Sequence, residues 1–226
     1  YGFISDWLDD STVMEVQTSG ATDAPRTLKV EKEKMIASAQ RTGEFLGLKA
    51  GDKALLCLPL NFIAGKMMVV RAFVLNLDLV TVKPSGNPSS ELDTDTHFAA
   101  MTPMQVYYAL QTENGIIRIN NIQKLIIGGG SVDHKLMEKI KVLYNEVWHT
   151  YGMAETLTHV AMKKLTGSDA DNHFHALPGI KFEQDVRGCL VILAPWLSEK
   201  KIATNDLVEL IDENTFDFKG RFDNLI

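Results

Sequence analysis

Cysteines, long apolar runs and clusters of basic residues are scarce in this sequence. Each scarcity argues against one class of protein. Two of the 226 residues are cysteines, Cys57 and Cys189, and each lies in an apolar run typical of a buried free thiol in a reducing cytoplasm. The longest apolar stretch, residues 67–82, is interrupted by Arg71 and other polar residues, so no membrane span is expected. Lys and Arg number 23 against 29 for Asp and Glu, and the net charge of −6 disfavours general binding to nucleic acid. Because nothing in the sequence reads as a signal peptide, we expect a cytoplasmic protein.

The order of the predicted elements indicates the fold. Strands and helices alternate from residue 12 to residue 150, which favours an α/β fold with a mostly parallel sheet covered by helices. Residues 1–173 are predicted to form this part, with helices at 33–46, 62–75 and 134–145 among others. Short strands and turns in residues 174–219 predict a small antiparallel β subdomain. The predicted strands cover residues 12–17, 54–58, 79–82, 96–100, 124–127, 146–149, 180–182, 189–193, 207–211 and 215–218.

Three polar loops follow predicted strands, in residues 18–26, 128–132 and 151–156. Because loops at the carboxyl ends of an open parallel sheet converge on one crevice, we expect these loops to form a single ligand site. The first loop, TSGATDAPR, offers three hydroxyl groups, a permissive glycine and the cation of Arg26, which together suit an anion. The alternative for this loop is a Ser/Thr-rich surface turn. A P-loop NTPase is disfavoured because the pattern GxxxxGK[ST] is absent.

Five segments resemble, in the right order, the motifs of the adenylate-forming superfamily of acyl-CoA synthetases, luciferases and peptide-synthetase adenylation domains. TSGATDAPR is similar to the superfamily's phosphate loop, usually written TSGTTGxPK. The other four segments are GGG at residues 128–130, YGMAET at 151–156, TNDLVEL at 204–210 and GRFDNLI at 220–226. Each motif is weak alone, but together they span nearly the whole chain. The resemblance implies the fold of the large N-terminal domain of an adenylate-forming enzyme.

Within the superfamily, two longer segments resemble the o-succinylbenzoate–CoA ligases of menaquinone biosynthesis. They are YGMAETLTHVAMKKL and HALPGIKFEQDVRGCLVILAP. The resemblance implies an acid–thiol ligase that uses ATP and Mg²⁺ to join o-succinylbenzoate to coenzyme A through an acyl-adenylate. Its partners would be these small molecules, with a homodimer as a candidate assembly. Two alternatives stay open: a ligase for another acyl or aryl acid, and a nucleotide-binding module without catalytic activity.

The resemblance also implies roles for individual residues. The nucleotide-binding residues would be Thr18, Ser19, Gly20, Thr22, Arg26, Gly129, Gly130, Tyr151, Gly152, Asp206 and Arg221. Thr18 and Glu155 would take part in catalysis. Glu155 would also bind Mg²⁺, a hard cation that prefers oxygen ligands.

Three further residues would contact the acyl substrate: Arg71, Ser131 and His159. Arg71 lies in the apolar segment MMVVRAFVL, where a lone arginine either has a structural role or binds a substrate carboxylate. His159 either lines the acyl pocket or is a packed, hydrogen-bonded residue. Ser131 either caps the helix that follows it or touches the acyl ligand.

Several residues depart from the superfamily's patterns. Asp23 replaces a glycine and brings a negative charge to the predicted phosphate loop, and Ala154 replaces the threonine before Glu155. These changes are expected to weaken catalysis and to leave the fold unaffected. Asp223 matches the hinge position within residues 220–226, after which the superfamily's small C-terminal domain is expected. We expect this domain to be absent here and the sequence to be that of the large domain alone, which would bind ATP or an acyl-adenylate but be severely impaired in adenylation.

Overall fold

A computed structural model describes residues 2–17, 27–92 and 95–224. Within these ranges, one sheet contains 11 strands and a separate hairpin contains two. The strands are β1 (Val13–Gln17), β2 (Thr27–Glu31), β3 (Lys53–Leu56), β4 (Asp78–Thr81), β5 (Thr96–Met101), β6 (Ile122–Ile127), β7 (Glu146–Gly152), β8 (His159–Lys164), β9 (Phe174–Ala176), β10 (Lys181–Gln184), β11 (Cys189–Leu193), β12 (Ile202–Asp212) and β13 (Thr215–Arg221). The α-helices are α1 (Gly2–Leu8), α2 (Lys32–Leu46), α3 (Ile63–Leu75), α4 (Pro103–Ala109), α5 (Glu113–Asn120) and α6 (His134–Ile140).

The strands of the large sheet are ordered β10-β11-β12-β13-β9-β8-β7-β6-β5-β3-β4. β4, β3, β5, β6 and β7 are parallel to one another. Each neighbouring pair from β7 to β10 is antiparallel. This confirms the prediction of a mostly parallel sheet followed by antiparallel strands. Both kinds of strand belong to one continuous sheet, and the division of the chain after residue 173 stays a prediction.

The parallel strands form the centre of the core. A row of register partners crosses them, Leu55 beside Ala99, Ala99 beside Leu125 and Leu125 beside Val147. All four side chains are fully buried. Continuous apolar strands of this kind are expected where a parallel sheet is covered by helices. The helices in turn pack closely, since a Cβ atom at Gly43 of α2 would lie 2.7 Å from a methyl carbon of Leu75 in α3.

The helix ends have local causes. Thr102 caps α4 by accepting a hydrogen bond from the backbone N–H of Gln105 at 3.2 Å, and Pro103 takes the first helical position. α6 ends at Ile140, earlier than the predicted residue 145, because Asn145 donates hydrogen bonds to the carbonyl groups of Ile119 and Ile122. Those bonds draw the chain away from the helix and into β7. In the described part of the chain, every helix is too short or too polar to cross a bilayer.

Candidate active site

The predicted phosphate loop lies outside the described residues, and with it the five residues expected to bind phosphate: Thr18, Ser19, Gly20, Thr22 and Arg26. The strands on either side of this loop are described. Gln17 at the end of β1 and Thr27 at the start of β2 are register partners, so the two ends of the segment lie side by side. The roles of the five residues stay predictions.

Tyr151 and Asp206 meet in a buried contact. The hydroxyl of Tyr151, in β7, donates a hydrogen bond to Oδ2 of Asp206, in β12, over 2.5 Å. Nη1 of Arg221 lies 3.4 Å from Oδ1 of the same carboxylate, and Nη2 donates to Asp223 at 2.6 Å. Burial, and then the contact with Asp206, raises the pKa of Tyr151 above its ordinary value, so the phenol stays protonated and remains a donor. The structure therefore brings three predicted nucleotide-binding residues into contact.

Aromatic rings surround the Tyr151 side chain. Its ring centroid lies 5.1 Å from that of Phe216, 5.7 Å from that of Phe174 and 6.4 Å from that of Phe218. Phe174 and Phe216 are buried and Phe218 is exposed, so the cluster extends from the core to the surface. A flat apolar surface combined with the carboxylate of Asp206 suits a nucleoside, whose base stacks and whose ribose offers two hydroxyl donors.

The glycine-rich loop after β6 is held against β7. A Cβ atom at Gly128 would lie 2.5 Å from Oγ1 of Thr150, so the close approach of the two strands requires glycine there. Gly129 has a φ of +76°, a conformation that favours glycine. The carbonyl oxygen of Gly130 lies 3.2 Å from Nε2 of His149. Gly129 and Gly130 are exposed, which leaves their backbone groups accessible to a ligand.

Glu155 lies in a 3-10 helix, Ala154–Thr156, that precedes a strained turn. Leu157 has a φ of 65°, and the N–H of Thr158 donates to the carbonyl of Thr156 at 2.6 Å, which together form a γ-turn. The Glu155 side chain is exposed. Among the described residues, no group of three or more His, Cys, Asp and Glu side chains could hold a metal ion. A magnesium ion bound by Glu155 would therefore take most of its ligands from phosphate oxygens and water.

Arg71 and His159 lie in a buried polar region between α2, α3 and β8. Arg71 is 3% exposed, and its Nε has no hydrogen-bond partner among the described residues. Burial lowers the pKa of Arg71 to about 10. Nε2 of His159 lies 3.0 Å from Oγ1 of Thr42, and burial followed by the charge of Arg71 lowers the pKa of His159 well below its ordinary value. The region thus holds one buried cation next to a neutral imidazole.

Ser131 lies in a cleft whose lining includes neither Arg71 nor His159. It lines a cleft of about 310 Å³ between the starts of α4 and α6, together with Pro103, Met104, Tyr107, Tyr108, Asp133, Lys135 and Leu136. Asp133 caps α6 by accepting a hydrogen bond from the N–H of Leu136 at 2.8 Å. The alternative that Ser131 caps this helix is therefore wrong, and its contact with an acyl ligand stays a prediction.

Packing requires a glycine at residue 152, because a Cβ atom there would lie 2.5 Å from the carbonyl oxygen of Thr158. Two residues that organise the site, His149 and Thr42, lie outside the motifs of the sequence, where His149 is interpreted only as a structural residue at the end of a strand. A signal for His149 was present: it lies two residues before Tyr151, so the alternation of a strand places both side chains on one face. Thr42 had no such signal, because its contact with His159 joins residues 117 apart.

Comparison with known proteins decides the family. A family model described as AMP-binding enzyme matches residues 8–181, which is most of the chain and contains the glycine-rich loop and the segment around Tyr151. The chain belongs to the AMP-binding enzyme family. This confirms the resemblance to the adenylate-forming superfamily that the motifs indicated.

Solved structures of similar proteins agree with this AMP-binding enzyme in fold. An acyl-CoA synthetase (AMP-forming)/AMP-acid ligase II-like protein from Dyadobacter fermentans is 39% identical with a TM-score of 0.92, over 100% of this chain and 65% of that one. O-succinylbenzoate coenzyme A synthetase from Bacillus subtilis, solved with ATP and magnesium ion, has a TM-score of 0.75 at 18% identity, over 96% of this chain and 51% of that one.

Curated relatives of this AMP-binding enzyme are longer proteins. A probable 2-succinylbenzoate–CoA ligase from Mycobacterium tuberculosis is 24% identical over 161 residues, which are 68% of this chain and 42% of that protein. The 2-succinylbenzoate–CoA ligase of Bacillus subtilis is 25% identical over 188 residues, which are 80% of this chain and 38% of that protein. The chain thus spans less than half the length of these relatives.

Replacing Tyr151 by Phe removes the hydroxyl that binds Asp206 and keeps the ring in the aromatic cluster. We expect the free energy of unfolding to fall by about 1.5–3 kcal/mol, the range for hydrogen bonds to charged groups. Urea unfolding measures the change. The control is Tyr144→Phe at a side chain that is 79% exposed, which should stay within about 0.5 kcal/mol of wild type. Equal stability of wild type and Tyr151→Phe would contradict a net stabilising contact.

Stability should fall as the pH drops below the ordinary histidine pKa of 6.5. Burial holds the pKa of His149 at about 4 and that of His159 well below 6.5, so both stay neutral in the folded protein but gain protons on unfolding. The unfolded chain therefore binds more protons in this window, and each histidine lowers the free energy of unfolding by at most about 1.4 kcal/mol per pH unit.

Urea unfolding at a series of pH values between about 7 and 4.5 measures this slope. The double variant His149→Gln, His159→Gln should show a shallower slope than wild type. An identical slope in both proteins would mean that neither histidine is protected from protonation by the fold.

Proposed function

We propose that this chain is the nucleotide- and acid-binding part of an ATP-dependent ligase that joins o-succinylbenzoate to coenzyme A, as in menaquinone biosynthesis. The observation that carries the proposal is the buried Tyr151–Asp206 contact, which presents a fixed carboxylate beside an aromatic surface and the cation of Arg221. Membership of the AMP-binding enzyme family and the ligases among the curated relatives support it.

Asp206 would bind the ribose of ATP. A carboxylate offers about four acceptor sites, of which Tyr151 takes one and Arg221 approaches a second. The remaining sites suit the two ribose hydroxyls, which are donors. The exposed backbone of Gly129 and Gly130 would face the base. Because these groups are fixed before the nucleotide arrives, little side-chain ordering is required on binding.

The reaction needs mainly positioning and charge neutralisation. The acyl carboxylate attacks the α-phosphate of ATP, pyrophosphate leaves, and the thiol of coenzyme A then displaces AMP from the acyl-adenylate. Ser19 and its neighbours in the phosphate loop would hold the departing phosphates, and Glu155 would hold Mg²⁺. When bound, the ion would supply positive charge to the phosphate oxygens. The buried neutral His159 and the cation of Arg71 would orient the acid.

Arg71 favours an acid with two carboxylates. It is a buried cation with no ion pair among the described residues, and burying an unpaired charge costs free energy. A second carboxylate on the substrate would compensate that charge, while the first carboxylate reacts. o-Succinylbenzoate carries two carboxylates, and this distinguishes it from most aryl acids.

A nucleotide-binding module without catalytic activity is the second candidate. Ala154 before Glu155 and Asp23 in the phosphate loop favour it, because both depart from the superfamily's pattern. Incubating the full-length protein with o-succinylbenzoate, ATP and coenzyme A separates the two candidates. Release of AMP and formation of the thioester support the ligase. Nucleotide binding without thioester formation supports the module.

The ribose role of Asp206 is tested by Asp206→Asn, which keeps the size of the side chain and removes its charge. We expect the affinities for AMP and ATP, measured by titration calorimetry, to fall by about 10-fold or more, because hydrogen bonds to a charged acceptor are the strong ones. Asp212→Asn, at an exposed position of the same strand, is the control and should bind like wild type. Absence of AMP and ATP binding by the wild-type protein would refute the proposed function.

The acid specificity is tested with Arg71→Leu and two ligands, o-succinylbenzoate and benzoylpropionate, which lacks the ring carboxyl. We expect the variant to bind o-succinylbenzoate at least about 30-fold more weakly, the effect of losing a buried charge partner, and benzoylpropionate as wild type does. Because the variant removes an unpaired buried charge, its free energy of unfolding should equal or exceed that of wild type. Unchanged o-succinylbenzoate affinity in the folded variant would exclude a carboxylate-binding role for Arg71.

A further inference from the structure

We propose that His149 is a positioning residue that fixes the glycine-rich loop by donating a hydrogen bond to the carbonyl oxygen of Gly130. The inference deepens the proposed function, on which it rests for the claim that this loop faces the base of a nucleotide. It assigns a task to a residue that lies outside the superfamily motifs singled out in the sequence.

The geometry requires one particular protonation of the ring. Nε2 of His149 lies 3.2 Å from the oxygen of Gly130. A carbonyl oxygen only accepts hydrogen bonds, so Nε2 has to carry the hydrogen. The imidazole also contacts the ring of Phe174, with 5.4 Å between the centroids. Two contacts, one polar and one apolar, therefore set the orientation of the ring.

The surroundings of His149 keep the ring neutral. Burial lowers its pKa to about 4, and the ammonium group of Lys163 acts in the same direction, while the hydrogen bond to Gly130 acts against both. Lys163 lies on β8 as the register partner of His149. Near neutral pH the ring thus holds one hydrogen, which the Gly130 contact assigns to Nε2.

The loop has a second attachment to the same strand. Oγ1 of Thr150 donates to the carbonyl of Ile127 at 3.1 Å, just before the loop, and the same oxygen fills the space where Gly128 lacks a side chain. Thr150 therefore holds the start of the loop and His149 holds its end. Gly129, between them, keeps its exposed backbone available to a ligand.

Three consecutive residues of β7 then have related tasks. His149 and Thr150 fix the glycine-rich loop, and Tyr151 fixes the carboxylate of Asp206. One rigid strand sets the distance between the group that would face the base and the group that would bind the ribose. By fixing the loop before a ligand arrives, the hydrogen bond from His149 would reduce the entropy that is lost when the ligand binds.

Two variants separate the hydrogen bond from the packing of the ring. His149→Phe keeps the contact with Phe174 and removes the donor, and His149→Gln keeps an N–H donor and removes most of the ring contact. The control is His97→Gln, because His97 also bonds to backbone, accepting from the N–H of Lys53 at 3.0 Å. The measurements are amide hydrogen exchange in residues 128–132 of the free protein and the affinities for AMP and inosine monophosphate.

We expect faster exchange in residues 128–132 and about five-fold weaker AMP binding in His149→Phe, the effect of losing one hydrogen bond. The preference for AMP over inosine monophosphate should also fall, which a general loss of stability would not cause. His149→Gln and His97→Gln should resemble wild type in both measurements.

Unchanged exchange and unchanged AMP affinity in folded His149→Phe would overturn the inference. If wild type binds no AMP, the proposed function fails, and the exchange measurement still decides whether His149 positions the loop. Faster exchange in His149→Gln, with exchange in His149→Phe like that of wild type, would assign the effect to the ring contact with Phe174 and would also overturn the inference.

Discussion

The hydrogen bond between Tyr151 and Asp206 is the constraint on which the site depends. Three strands separate β7 from β12 in the sheet, so a flat sheet would place the two backbones about 19 Å apart. The bond nevertheless closes at 2.5 Å, so the sheet must curve strongly between β7 and β12. In this region β9 is only three residues long, and the rings of Phe174 and Phe216 stack with 5.4 Å between their centroids. The buried carboxylate requires a donor, and the packed rings place it.

Local sequence patterns predicted the elements that local interactions determine. β11 covers Cys189–Leu193 as predicted, and α2 and α3 begin within one residue of the predicted positions. β8 was not predicted, because no short hairpin turn connects it to β7: the connection holds a 3-10 helix and the γ-turn at Leu157. Without β8 as a partner, the end of β7 was also predicted three residues too early, at residue 149.

In the candidate site, too, individual residues could be predicted from the sequence, but contacts between residues far apart in the chain could not. Motif resemblance singled out Tyr151 and Asp206, and the apolar segment around it singled out Arg71. No spacing in the sequence predicts that the first two are bonded or that Arg71 lacks an ion pair among the described residues. Such contacts depend on how strands far apart in the chain coil and pack. Ser131 shows how far local sequence can mislead: it was a candidate to cap α6, but Asp133, two residues later, is the cap.

β7 pairs with a parallel strand on one side and an antiparallel strand on the other. This position has a consequence for how ligands enter and leave. Ladders of backbone hydrogen bonds run on both sides of this strand, so the two halves of the sheet cannot swing apart without breaking one of them. The floor of the crevice is rigid. A nucleotide held above the ends of these strands would therefore enter and leave through rearrangement of the connecting loops.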